Sequence, residues 1–284
     1  MIRFICAASF LALFCLFSWP LFGLVNLVGL FNPKKKVTMS QNIAVWGFKV
    51  ILKFSGTTID VKGLENVPAN EPVLYVANHR SYFDIVTCYT LVKNNTGFIA
   101  KKEMEKFPSV QRWMKYINCQ FLDRDNPREG LKTILKCIDL IKEGTSIFVF
   151  PEGTRSLGGE MLPFKEGSFK IATKTGCPII PVAIKDTEKI FETHLPKIEK
   201  RTVSIEFGQP VYPSELTAAE KKFIGAICRN RRHEAMLVGE CEPDFVIFRA
   251  WVDGQEKVQE LTSWFAEMFL LQSALLPVEE VDFS

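Results

Sequence analysis

The amino-acid sequence predicts an α/β fold: a mixed, largely parallel central sheet flanked by helices, with an N-terminal apolar membrane-anchoring helix or helix pair. Three observations lead there. Short, continuous apolar runs ended by polar or turn residues alternate with stretches of helical periodicity, the pattern of layered α/β domains. A chain of 284 residues that is 47% apolar and 24% charged can build one sizeable core with appendages rather than two full domains. No residue between Arg3 and Lys34 is charged.

That uncharged run is the first element. It exceeds the ~20 residues a helix needs to cross a bilayer core. Pro20 divides it into an arm from Phe4 to Trp19 and a shorter one from Leu21 to Phe31. Two geometries compete: a single kinked span, or a helix pair that dips into one leaflet and returns. Residues 1–33 form the expected membrane anchor. Lys34, Lys35 and Lys36 follow the run, whereas only Arg3 and the amino terminus precede it, a bias that puts the rest of the chain on the cytoplasmic side. A cleaved leader is the competing reading, but the run is longer than the usual leader core and no small-x-small site follows it. The stretch IAVWGFKVILKF (43–54) suits either the membrane interface or an amphipathic core helix.

Four strands come next in the reading, at PVLYVAN (72–78), SIFVFPEG (146–153), PIIPVAI (178–184) and RTVSIEFG (201–208), separated by helical patterns at 81–93, 104–117, 128–143 and 165–175. Functional loops are expected where such strands end. The main domain spans 34–216. Residues 217–284 form a C-terminal helical extension, in which Val258, Leu261, Phe265 and Met268 repeat at helical spacing and His233 reads as a surface residue.

A net charge of +3 argues against a nucleic-acid-binding surface. Eight cysteines without a C-x-x-C pair, most in apolar contexts, indicate a reducing compartment and small core side chains rather than disulfides or a zinc site. Asn94-Asn95-Thr96 is a glycosylation sequon that a cytoplasmic domain would leave unmodified.

The chemistry concentrates in VANHRSYFDIV (76–86), where a strand-like run stops at one of only three histidines. Inside a single helix, His79 and Asp84 would lie ~7.5 Å apart along the axis and face different sides. If Ser81 is instead the N-cap, Ser81-x-x-Asp84 resembles a capping box, His79 precedes the helix, and the aspartate reaches the imidazole. A carboxylate on one ring nitrogen leaves the other free to take a proton from a hydroxyl. The alternative is a cap and a loop histidine without chemistry. A metal site is disfavoured, since no second histidine or cysteine stands at helical spacing from His79. VFPEGTRS (149–156) ends a strand in a turn presenting Glu152, Thr154 and Arg155 around Gly153. The Arg155 guanidinium suits phosphate or carboxylate, and Lys101, Lys102 and Arg124 also follow apolar runs.

Together these residues resemble the glycerolipid acyltransferase family that includes the lysophosphatidate acyltransferases. Its first motif, N-H-x-x-x-x-D, stands here as Asn78, His79 and Asp84, its basic region as AKKEMEKFP with FLDRD, its third motif as FPEGTRS and its fourth as PIIPVAI. The resemblance covers about 43–216. It implies that His79 is the base and Asp84 its orienter. Glu152, Gly153 and Thr154 would then shape the acceptor site, and Lys101, Arg124 and Arg155 would hold a phosphate. The implied partners are lysophosphatidate, membrane lipid and an acyl thioester, either acyl-CoA or acyl-carrier protein, with no metal or further cofactor. Another acceptor, such as glycerol 3-phosphate, or a non-catalytic lipid-binding role would share these motifs.

Overall fold

The computed structural model of the chain describes residues 1–215, apart from 125, 158–161 and 163. The helix expected at 256–276 and His233 therefore lie outside the described residues. Seven strands form one sheet: β1 (Thr58–Lys62), β2 (Leu74–Ala77), β3 (Thr96–Lys101), β4 (Gln120–Leu122), β5 (Ser146–Val149), β6 (Ile179–Lys185) and β7 (Thr202–Phe207). Their spatial order is β1-β7-β6-β2-β5-β3-β4. From β6 to β4 every pairing is parallel, while β7 is antiparallel to β6 and β1 follows β7. The mixed, largely parallel α/β sheet is as the sequence predicts.

The middle of the sheet is buried on both faces because α-helices cover both. On one face Tyr75, Phe98, Phe148 and Phe207 interlock, with Tyr75 and Phe148 ring centroids 5.4 Å apart and Phe98 and Phe148 stacked at 4.4 Å. Phe48 of α2 (Pro33–Ser55) and Tyr89 of α3 (Tyr82–Tyr89) close over them. On the other face Leu74, Val76, Ile147 and Val149 pack against α5 (Pro127–Lys142) and α6 (Lys170–Thr175) through Ile138, Ile141 and Ile171. Continuous apolar runs such as VLYVA are what double-sided burial requires. Cys88, Cys119, Cys137 and Cys177 are all buried in this core.

Three strands escape the sequence reading, for distinct reasons. Strand β1 sits at the sheet margin with alternating exposure, β4 is three residues long, and β3 ends in the solvent-facing Lys101. Helix boundaries also tighten. The 81–93 pattern stops as helix at Tyr89, with Thr90 as C-cap. The 104–117 pattern divides into a 3-10 turn, Lys102–Lys106, and α4 (Pro108–Tyr116), because Pro108, lacking an N–H and with φ preset, favours the first helical position and starts a new helix there. Pro181 of β6 lies inside the sheet rather than at an edge. It stands one residue beyond the β6–β7 ladder, pairs with Val76 of β2, and its carbonyl accepts from Gly208 N at 2.9 Å.

At the N-terminus, α1 (Ile2–Phe31) runs unbroken through Pro20. The chain turns at Asn32 instead, whose side chain caps α2 by accepting from Lys35 N at 2.9 Å, with Pro33 in the first helical position. The helix pair is thus α1 with α2, not two arms divided at Pro20. Helix α1 is the one described helix long and apolar enough to cross a membrane, with mean hydropathy 2.1. It is nevertheless integrated into the fold. Trp113 of α4 lies beside Phe14 and Phe22, its Nε1 donates to Ser18 Oγ at 2.8 Å, and Phe4 stacks on Phe191 at 5.6 Å.

Gly63, after β1, has φ +66°, and a Cβ there would collide with the carbonyl oxygen of Phe207, which Asn66 Nδ2 also engages at 2.9 Å. A side chain costs ~1–2 kcal/mol for the left-handed conformation alone, and the backbone clash adds to it. Gly63→Ala should therefore lower the thermal midpoint by at least roughly 2 °C in detergent-solubilised protein; an unchanged midpoint would refute the close approach.

Candidate active site

Five parallel strands point their C-terminal ends at one edge of the sheet, and every residue singled out by the sequence emerges there. His79 follows β2, Lys101 ends β3, Arg124 follows β4, and Glu152 to Arg155 follow β5. The site is built outward from His79.

Asn78 first continues the sheet with its side chain. Its Nδ2 donates to Ile184 O at 2.9 Å and its Oδ1 accepts from Ile184 N at 2.8 Å, holding the end of β2 against β6. The next residue, His79, is gripped through its backbone by the loop after β5. Its N–H donates to Glu152 Oε1 at 2.6 Å, and its carbonyl accepts from Ser156 N and Oγ at 2.8 and 3.1 Å. The ring lies flat on Phe150, 4.1 Å between centroids. Phe150 thereby fixes the imidazole plane.

Ser81 is the N-cap of α3, and Asp84 completes a capping box in the third helical position. Asp84 Oδ2 accepts from His79 Nδ1 at 2.8 Å, Arg80 N at 2.7 Å and Ser81 N at 2.8 Å, while Oδ1 accepts from the Thr187 hydroxyl. With 1% exposure, this carboxylate has no solvent partner to exchange for. Donation from Nδ1 to Asp84 leaves Nε2 with its lone pair, and among the described residues Nε2 has no hydrogen-bond partner. The arrangement can accept a proton from a hydroxyl brought to Nε2.

Glu152 does structural work. Its second oxygen accepts from Leu162 N at 2.8 Å, and burial pushes its carboxyl above the ordinary carboxylate range, opposed by those backbone donors. Gly153, at φ +78°, makes the tight turn beside the Lys165 side chain. Thr154 is exposed. Arg155 lies over the Tyr82 ring at 3.8 Å, and its Nη1 donates to Glu192 Oε1 at 3.1 Å.

Lys101 and Arg124 share the site's edge but stand farther away. β3 and β4 are two and three strands from β2, or ~10 and ~14 Å at the usual strand spacing. Lys101 is paired with Glu103 at 2.6 Å, and Lys102 with Asp123 at 2.8 Å. Arg124 lies near enough to Glu103 to help lower its carboxyl, behind the larger effect of Lys101. The cations therefore form two groups: Arg155 is held by elements following β2 and β6, and Lys101 with Arg124 by the ends of β3 and β4. Among the described residues no group of three His, Cys, Asp or Glu side chains is arranged to hold a metal ion.

Sequence reasoning did not find Phe150, Thr187 or Glu192. Phe150 was hidden as one more apolar strand residue. Thr187 and Glu192 lie more than 100 positions from His79, in 3-10 turns after β6. Only the adjacency of β6 to β2 brings them in.

Residues 58–185 match the family model described as Acyltransferase. A chloroplastic 1-acyl-sn-glycerol-3-phosphate acyltransferase of Brassica napus is 37% identical over 60% of this chain, which spans about half (49%) of that protein's length. A 1-acyl-sn-glycerol-3-phosphate acyltransferase of Borreliella burgdorferi is 31% identical over 64% of this chain and 73% of its own length. The crystal structure of the 1-acyl-sn-glycerophosphate acyltransferase PlsC from Thermotoga maritima superposes with a TM-score of 0.66 at 26% identity, covering 84% of this chain and 97% of that one.

The raised carboxyl of Glu152 sets a pH dependence. Between the unfolded carboxyl value of ~4.3 and its own raised value, folded Glu152 keeps a proton that the unfolded chain has released. Its stabilisation is full below the unfolded value and is lost as pH rises through the folded one. Thermal unfolding of wild type relative to Glu152→Gln, which cannot titrate, should show a difference that moves against wild type as pH rises through that window. A pH-independent difference would contradict the burial account.

Proposed function

The chain belongs to the acyltransferase family, and on that premise we propose that it transfers a fatty acyl group from an acyl thioester to the free hydroxyl of 1-acyl-glycerol 3-phosphate, giving phosphatidate. The observation that carries this reading is the imidazole of His79, fixed on one nitrogen by buried Asp84 and open at the other, at an edge ringed by cations. The one name shared by the two relatives above supplies the acceptor.

In this mechanism Nε2 of His79 takes the proton of the glycerol hydroxyl as its oxygen attacks the thioester carbonyl. Asp84 holds the ring orientation and stabilises the imidazolium that forms. The carbon–sulfur bond then breaks, and the departing thiolate recovers the proton from His79. The hydroxyl is converted to an ester without an acyl-enzyme, since the dyad acts on the acceptor directly. Arg155 contacts the acceptor phosphate, which fixes the hydroxyl in reach of Nε2, while Lys101 and Arg124, which the resemblance assigns to the same phosphate, stand on the other side of the imidazole. Glu152, Gly153 and Thr154 shape the wall of that site. The donor is acyl-CoA or an acyl-carrier protein, and no further cofactor takes part.

Helix α1 supports a membrane location for this chemistry. Its outward side carries Leu13, Leu16, Phe17, Leu24 and Leu27, all exposed. Its other side packs on α2, α4 and Phe191 over most of its length, which favours a helix pair lying in one leaflet over a free-standing span. The lysine triplet after α1 supports a cytoplasmic side for the catalytic part. Asn94 Nδ2 agrees with an unmodified sequon, being engaged with Glu71 O at 3.0 Å.

His79→Ala should reduce phosphatidate formation by at least ~10²-fold, the lower end of a general base's contribution, while the protein still sediments with lipid vesicles; turnover near wild type would remove the base assignment. Arg155→Ala should weaken use of 1-acyl-glycerol 3-phosphate more than that of monoacylglycerol, scored by released coenzyme A. An equal loss for both acceptors would take the phosphate role from Arg155.

A further inference from the structure

We propose that Glu192 is a positioning residue for acceptor binding: one buried carboxylate ties the Arg155 guanidinium to the first turn of α3, so that the phosphate contact and the His79–Asp84 pair are held in a fixed relation. The inference rests on the reading of Arg155 as a phosphate contact. It concerns a residue in a 3-10 turn, Glu192–His194, outside every motif of the sequence.

Glu192 receives three donors. Its Oε2 accepts from Ser81 Oγ at 2.7 Å, and its Oε1 accepts from Tyr82 N at 2.7 Å and Arg155 Nη1 at 3.1 Å. Its side chain is 7% exposed against 25% for Arg155. The buried partner is thus the anchor, and the arginine keeps part of its fork accessible. Tyr82 completes the clamp from below, with the guanidinium 3.8 Å from its ring centroid. A guanidinium offers five donors in one plane, so an edge fixed by Glu192 and a face fixed by Tyr82 leave the remaining N–H groups aimed in one direction. Ser81 and Tyr82 belong to the same helical turn as Asp84. The distance between the phosphate and the base is therefore set by one carboxylate bonded to both supports, rather than by two independent loops.

Asp84 keeps its own bonds to His79, Arg80 and Ser81 without Glu192. Loss of Glu192 should consequently fall on phosphate recognition. The discriminating quantity is the ratio of kcat/KM for 1-acyl-glycerol 3-phosphate to that for monoacylglycerol in mixed micelles. A partial loss of folded enzyme cancels in this ratio. Glu192→Ala should lower it about 10-fold, the scale of one charge-assisted hydrogen bond. Glu192→Gln keeps an acceptor for α3 and Arg155 and should restore the ratio to within about 3-fold of wild type. In the Arg155→Ala background, Glu192→Ala should lower the ratio by less than about 2-fold, because the side chain it positions is gone. If Glu192→Ala does not fold, Glu192→Asp replaces it: the shorter side chain cannot span both supports, and the same fall is expected.

An unchanged ratio in the Ala or Asp variant overturns the proposal. So does a fall that recurs in full without Arg155. Arg155→Ala alone reads the underlying assignment: if it leaves the ratio unchanged, the phosphate role falls and the Glu192 inference with it. If it lowers the ratio while Glu192 variants do not, only the positioning role is lost.

Discussion

The architecture of this protein depends on a single buried oxygen, Oδ2 of Asp84, which accepts from His79 Nδ1, Arg80 N and Ser81 N at once. One carboxylate thereby caps α3, folds the chain back between the strand and the helix, and selects the tautomer of the imidazole. These are the same act. A helix N-terminus has unpaired N–H groups and a positive field that favour a carboxylate in its first turn. That local stabilisation places the aspartate beside His79 without a separate structural element. Thr187 then covers the second oxygen from the 3-10 turn after β6, so the carboxylate is satisfied at 1% exposure.

This explains how much of the site was legible in sequence. The capping box is local, encoded within four residues, and Ser81-x-x-Asp84 announces both the helix start and the position of the acid. The strands β2, β5 and β6 were equally legible because burial on both faces leaves them uniformly apolar. What could not be read was adjacency between distant segments. Asn78 is bonded to Ile184, His79 to Glu152 and Ser156, and Ser81 to Glu192, each across 70 or more positions. Those contacts exist because β6 and β5 flank β2, and strand order is a property of the whole sheet. Family resemblance supplied Glu152, because the third motif is contiguous; it said nothing of Glu192, which belongs to no motif.

The N-terminal helices show a local rule overridden by packing. A proline costs an internal helical hydrogen bond, which makes Pro20 a natural place to divide the apolar run. The structure keeps α1 continuous there and turns at Asn32-Pro33, where a side-chain cap and a proline in the first helical position act together. Around Pro20, Ser18 bonds back to Phe14 O at 2.6 Å and accepts from Trp113, and Phe22 packs against Trp113. The apolar helix is fastened to α4 on both sides of the proline, and those contacts offset the missing bond. A helix built this way is continuous with the helices that flank the sheet instead of hanging from them.

The same contrast between exposed and buried pairs separates the cations around the site. Lys101 and Glu103 are 54% and 49% exposed, so water and salt screen their attraction and either side chain can turn away at little cost. Arg155 and Glu192 are far less exposed, and breaking that pair would leave a buried carboxylate short of a donor. Lys101 can therefore exchange its partner for another anion, whereas Arg155 is held where it stands. The edge thus carries a cation held by buried supports on one side of the imidazole and exposed, screened ones on the other, so the two sides differ in how readily their ion pairs are broken.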